Sequence, residues 1–137
     1  MNAVVVDTGV FSAPLSRRRL TITGLYDVHL AGQLLVLASQ TVAEMRYGAL
    51  VAGWGQSRLA ELERRIELAR VAVIDDAMIW THARLRLDCR QMGHALADAS
   101  HAADLWVAAT AAHFSLPLVT HDTVFIGAPG LVVITEA

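Results

Sequence analysis

The sequence predicts an α/β domain with a central, mostly parallel sheet of about five strands and helices on both faces. Strand-like runs alternate with helical segments along the whole chain, which is the order a parallel sheet requires. The apolar fraction is 55%, supplied mainly by Ala, Val and Leu, with only 6% aromatic residues. That composition suits strands buried on both sides beneath flanking helices. With 137 residues and no linker, repeat or low-complexity segment, residues 1–137 are expected to form one domain.

The elements follow in order. Val4 to Val6 is a β-branched run, hence a first strand. Thr8 to Leu15 reads as a short helical turn stopped near Pro14, followed by the basic loop Ser16-Arg17-Arg18-Arg19. Residues 22–32 are expected to be helical up to Gly32, and Leu34 to Ala38 is a second strand. Ser39 or Thr41 then caps a helix to about Gly53. Gln56 to Arg70 places Leu59, Leu62, Ile66 and Ala69 on one helical stripe, with Arg and Glu residues outside it. A third strand spans 71–74, a helix 76–91, and Gly93 breaks the chain. A helix from about Ser100 to Phe114, a strand from Leu118 to Thr120 and a last strand from Leu131 to Ile134 complete the pattern.

Charge and reactive residues narrow the chemistry. The formal net charge is −2, so any contact with nucleic acid needs a local basic patch. All eleven basic residues are Arg, which excludes Schiff-base and P-loop chemistry, both of which need lysine. The single cysteine, Cys89, forms no internal disulfide, reads as a small core residue, and is consistent with a reducing cytosol. No basic region followed by an apolar one opens the sequence. The most apolar stretch, 102–119, is interrupted by Asp104 and His113 and ended by Pro117, so no membrane span is expected.

Four acids stand where a parallel sheet would gather them. Asp7 ends the first strand, Glu44 lies in the helix after the second, Asp104 lies near the start of a late helix, and Asp122 follows the fourth strand. Ligands in such sheets collect at the carboxyl ends of the strands. Each acid also has a local explanation. Asp7 can cap the first helix, Glu44 fits a capping box with Thr41, Asp104 complements a helix dipole, and Asp122 suits a turn. Those explanations leave their convergence unaccounted for. Four converging carboxylates would repel one another unless a cation neutralised them, which points to metal-dependent phosphodiester cleavage.

The residues around the acids carry a family resemblance. Val-Val-Val-Asp-Thr-Gly-Val-Phe (4–11), Thr-Val-Ala-Glu-Met-Arg-Tyr-Gly-Ala (41–49), Ala-Asp-Leu-Trp-Val-Ala-Ala-Thr-Ala (103–111) and Leu-Val-Thr-His-Asp-Thr-Val-Phe (118–125) resemble, in order and spacing, the four motifs of PIN domains. Within that family the chain is most similar to the VapC-like toxins of bacterial toxin–antitoxin pairs. The resemblance implies a three-layer α/β/α PIN fold and a Mg²⁺- or Mn²⁺-dependent endoribonuclease. It implies catalytic and metal-binding roles for Asp7, Glu44, Asp104 and Asp122, and supporting hydroxyls at Thr8 and Thr120. It places Arg46 near the mouth of the site, against a phosphate. It further implies a small cognate antitoxin in an apolar groove, for which residues 22–32 and 41–70 are the candidates, and a homodimer. Two departures bear on a second metal: Ala102 and Val124 stand where many relatives have acids. Asp98 either compensates for them or caps a turn.

The remaining polar and aromatic residues divide into separate expectations. Arg17, Arg18, Arg19 and Arg46 are candidate RNA contacts; Arg84, Arg86 and Arg90 either join them or form the solvated face of an amphipathic helix, the reading favoured for Arg84. A metal-free ribonuclease using a His pair would draw on His94, His101 or His121, but His121 is expected to point away from its neighbour Asp122. Trp80 and Trp106 are expected in the core, and Trp54, between two glycines, at the surface. Aspartyl phosphatases and phospho-receivers are disfavoured because Gly9 replaces the required acid or because lysine is absent. A PIN-like domain that binds RNA or a partner without cutting is the alternative. The identity of the RNA is not encoded in these motifs.

Overall fold

The computed structural model describes residues 2–15 and 22–137. Among these, five strands form one parallel sheet: β1 (Ala3–Val6), β2 (Leu34–Leu37), β3 (Arg70–Val71), β4 (Leu118–Val119) and β5 (Val133–Ile134), in spatial order β3-β2-β1-β4-β5. Val5 pairs with Val36 on one side and with Leu118 on the other, so β1 is the central strand. Val5 and Val6 are wholly buried, as the uninterrupted valine run requires.

Strand alternation builds the two cores. Val5, Val36 and Leu118 face one layer, where they meet Leu85 and Cys89 of helix α5 (Asp76–Met92) and Leu105 and Ala108 of α6 (Ala102–His113). Val4, Val6, Leu37 and Val119 face the other. That layer contains α1 (Thr8–Ser12), the short α2 (Asp27–Leu30), α3 (Ser39–Val51) and α4 (Gln56–Leu68), contributing Phe11, Met45, Leu62 and Ile66 among others. Each fully buried valine or leucine contributes roughly 1.5–3 kcal/mol. The result is the expected three-layer α/β/α arrangement with helices on both faces.

Several local expectations differ from the structure. Residues 22–32 are not one helix: only Asp27–Leu30 is α-helical, because Gly24 (φ +82°) and Gly32 (φ +73°) take left-handed conformations that break the helix on each side. The third strand is Arg70–Val71 rather than 71–74, and Val73 is exposed beyond that sheet edge. The helix expected from Ser100 begins at Ala102, after a 3-10 turn at Ala99–His101. Thr41 does not form a capping box. Ala38 is the N-cap of α3, with no side-chain cap bond, and the Thr41 hydroxyl is buried without a hydrogen-bond partner. Trp80 is 71% exposed rather than in the core, because its position on α5 faces away from Leu85 and Cys89. Trp54 is half-buried, with the Arg58 guanidinium 4.0 Å above its ring. Cys89 is buried as expected, and burial pushes its thiol pKa up, away from reactivity.

Trp106 is likewise half-buried, stacked on His82 across the α5–α6 contact with ring centroids 3.8 Å apart. Desolvation, with Arg86 nearby as the smaller cause, lowers the His82 pKa below its ordinary value of 6.5. The folded chain therefore resists a proton that the unfolded chain accepts. Stability is full above pH 6.5 and falls as pH drops from there toward the lowered folded value. In urea titrations across pH 5–8, His82→Gln should remove part of the acid-side loss. An unchanged pH profile would contradict this origin.

Candidate active site

Where β1 ends, the chain turns directly into α1, and Asp7 occupies the junction. Asp7 is 8% exposed, and its Oδ1 accepts from the Val10 amide at 3.2 Å as the N-cap of α1. Its Oδ2 accepts from the Thr120 hydroxyl. Thr120, wholly buried just past β4, also accepts from the Asp122 amide at 3.0 Å. One hydroxyl thus ties the ends of two neighbouring strands together. Asp122 caps the 3-10 turn Thr123–Phe125, its Oδ1 accepting from the Val124 amide at 3.0 Å.

The helices supply the other two acids. Glu44 projects from α3 and its Oε2 accepts from the Thr8 hydroxyl at 2.8 Å, not from the Thr41 amide of a capping box. Asp104 lies in the first turn of α6, where the helix dipole favours negative charge, with its Oδ2 3.0 Å from His101 Nδ1. Among the described residues, Glu44 Oε1, Asp104 Oδ1 and Asp122 Oδ2 accept no hydrogen bond from a protein donor. All four acids line one cavity of about 230 Å³, with Thr8, Gly9 and His121 in its walls and Val107 and Phe125 as its apolar side.

The model of the PIN domain matches residues 4–131, spanning β1 through the last turn before β5. The chain belongs to the PIN-domain family. This PIN domain is 36% identical over 132 residues to Ribonuclease VapC5 of Mycobacterium tuberculosis, covering 93% of the chain and 89% of that protein. It resembles the crystal structure of VapBC-5 from the same organism, a member of the VapBC family of toxin–antitoxin systems, with a TM-score of 0.68 and 28% identity over 98% of this chain and 99% of that one. VapBC2 from Rickettsia felis, bound to a promoter DNA fragment, matches with a TM-score of 0.79 over 98% and 99% of the two chains. At 15% identity that likeness speaks for the fold alone.

The four acids of this PIN domain offer only oxygen donors, with His121 as the one nitrogen-bearing side chain in the cavity wall and no cysteine. Among the described residues, no three acids, histidines or cysteines are drawn together as a ready-made metal cage. Mg²⁺ seldom uses such a cage: it keeps several waters and binds through one or two carboxylates. The residues therefore fit a hydrated hard cation.

Other expected site residues lie elsewhere. Arg46 does not line the cavity. Its guanidinium pairs with Glu63 on α4 at 2.7 Å, because two residues along α3 rotate it some 200° from Glu44. The Glu63 hydrogen bond raises the Arg46 pKa further. Asp98 does not compensate for Ala102. Its Oδ1 accepts from the Ser100 amide and hydroxyl at 2.9 and 2.8 Å, bonds that hold its pKa below the ordinary carboxylate value. Arg17, Arg18 and Arg19 lie outside the described residues.

His121 corrects the expectation in the opposite direction, because it lines the acidic cavity beside Asp122. Strand alternation would have turned it away, but β4 ends at Val119 and alternation ends with it. Its Nδ1 lies 2.7 Å from the hydroxyl of Tyr26, a residue that sequence reasoning passed over. Tyr26 is 2% exposed, and its hydroxyl also accepts from the Glu136 amide at 2.9 Å and lies 3.2 Å from the Thr120 carbonyl. An isolated tyrosine among turn residues gives no sequence signal for this.

Because Thr120 satisfies a buried carboxylate oxygen, Thr120→Val should cost about 1–3 kcal/mol in urea unfolding. Thr8→Val, at a more exposed pair, should cost less. Equal costs would contradict the burial argument.

Proposed function

We propose that this chain is a Mg²⁺- or Mn²⁺-dependent endoribonuclease, the toxin of a VapBC-type toxin–antitoxin pair. The observation carrying this reading is the gathering of Asp7, Glu44, Asp104 and Asp122 around one solvent-open cavity in a PIN domain similar to a named ribonuclease. A divalent cation at these acids would supply positive charge to the scissile phosphate and lower the pKa of the attacking water. Asp7, the most buried and most firmly held acid, fixes one side of the site. Glu44 Oε1 and Asp104 Oδ1, which no donor among the described residues occupies, would orient the water and take its proton. Thr8 and Thr120 keep Glu44 and Asp7 in position.

The partner reading rests on a second cavity of about 600 Å³ that shares Thr8 and Glu44 with the first. Met45, Tyr47, Val51 and Trp54 line it, and Tyr47, Leu50 and Val51 of α3 are 70–74% exposed. An amphipathic segment of a small antitoxin would cover this apolar strip and reach the acids from its end. Of the two segments suggested by sequence, 41–70 supplies the strip, whereas α2 does not line it. A homodimer is part of the same reading, with the exposed Trp80 supplying apolar area. The working compartment is the cytoplasm, where RNA is present and Cys89 stays reduced. No helix among the described residues is long and apolar enough to cross a membrane.

A non-cleaving PIN-like binding domain is the second reading, favoured by Ala102 and Val124, which add no acid to the four around the cavity. Cleavage separates the two. With Mg²⁺ or Mn²⁺ the chain should cut RNA, and EDTA should stop it. Asp7→Asn and Asp104→Asn should each lower the rate by at least about 100-fold while circular dichroism shows a folded chain. Full activity in either variant, or cleavage in excess EDTA, would overturn the assignment.

A further inference from the structure

Helix α5 carries a row at His82, Arg86 and Arg90, spaced four residues apart and therefore on one face. The row lines an open cleft of about 710 Å³, with Ala97 also in its wall. Arg86 and Arg90 make no ion pair among the described residues, unlike Arg46 with Glu63 and Arg64 with Glu61. Like charges at this spacing oppose the helix that bears them. Asp88, on the same helix, lines a different cavity, together with Arg84 and Trp80. Asp98 follows Ala97, but its Oδ1 is engaged by Ser100. The chain as a whole is slightly acidic, so this concentration of uncompensated positive charge is local.

Two packing contacts link the walls of the cleft to those of the acidic cavity. The turn Ala95–Ala97, which contributes Ala97 to the cleft wall, packs against Thr123–Phe125, and both Phe125 and the cap Asp122 line the acidic cavity. His82 is held flat against Trp106 of α6, the helix that carries Asp104 and Val107 into that cavity.

We propose that the His82–Arg86–Arg90 cleft is a substrate track that holds the phosphates of single-stranded RNA flanking the scissile bond. The proposal rests on the ribonuclease reading and extends it to a second site. Arg86 and Arg90 rise about 6 Å apart along α5, a separation that suits neighbouring phosphates of an extended strand. Arginine meets phosphate through paired donors, and His82, held flat against Trp106, lines the cleft as a ring on which a base can lie. A slightly acidic protein with an acidic catalytic cavity needs such a track, because the cavity itself repels the polyanion it must cut.

The test uses a fluorescently labelled 12-nucleotide single-stranded RNA and the full chain. Binding is read by fluorescence polarisation with Mg²⁺ in an Asp104→Asn background, so that the probe survives. Adding Arg86→Ala and Arg90→Ala together should weaken binding at least tenfold. It should also flatten the slope of log affinity against log salt by about 1.4, two phosphate contacts at roughly 0.7 each for a single strand. Arg84→Ala, which removes the same charge from the other side of α5, should leave both quantities unchanged. In the cleavage-competent chain the double variant should raise KM for the RNA with little change in kcat. Unchanged affinity, slope and KM in the double variant, an equal loss in Arg84→Ala, or no RNA binding by the parent would overturn the track. If the parent chain binds through these arginines but never cuts RNA, the ribonuclease reading fails and the track stands. If it cuts with an unchanged KM, the reverse holds.

Discussion

Four carboxylates around one cavity repel one another, and the chain's own groups must hold them there. They do so as short local tethers. The Thr120 hydroxyl and Val10 amide hold Asp7, the Thr8 hydroxyl holds Glu44, the Val124 amide holds Asp122, and His101 stands beside Asp104. For Glu44, Asp104 and Asp122 each tether engages one oxygen and leaves the other without a protein donor among the described residues. That division is chemically useful. A carboxylate fixed through one atom presents the other in a defined direction without being neutralised.

The tethers work because the sheet beneath them is rigid. Val5 and Val6 are wholly buried between two apolar layers, and β1 is paired along both edges. Asp7 and Thr120 inherit that rigidity as the first residues beyond neighbouring parallel strands. Parallel pairing is what puts both at the same end of the sheet, and α3 and α6 deliver Glu44 and Asp104 to the same end. The polar site is therefore a consequence of the apolar pattern.

Much of this was legible in the sequence where one physical signal dominated. The valine run before Asp7 and the Leu118–Thr120 segment before Asp122 marked the strands, and alternation of strands with helices marked the parallel sheet. Reading failed where tertiary geometry overrides a local rule. Thr41-x-x-Glu44 has capping-box spacing, yet Glu44 turns to Thr8 because α3 packs beside α1. Arg46 is two residues from Glu44 in sequence but lies around the helix against α4. His121 shares the cavity with its neighbour Asp122 instead of pointing away from it, because β4 stops two residues before it. Trp80 looked like core by residue type, yet only its position on α5 decides its exposure. The turn at Gly24, which shortens α2, depends on a left-handed φ that composition alone does not reveal.

The proposed activity requires the acids at the end of β1, on α3 and α6 and in the turn after β4 to share a bound divalent ion. Thermal unfolding with and without Mn²⁺ tests it most directly, because the readout does not depend on knowing the RNA. At Mn²⁺ about 100-fold above its dissociation constant, the parent chain should gain roughly 2.7 kcal/mol, seen as a rise in Tm of several degrees. Glu44→Gln and Asp104→Asn should each lose most of that gain. A Tm that Mn²⁺ leaves unmoved in the parent, or raises equally in all three proteins, would contradict a shared ion.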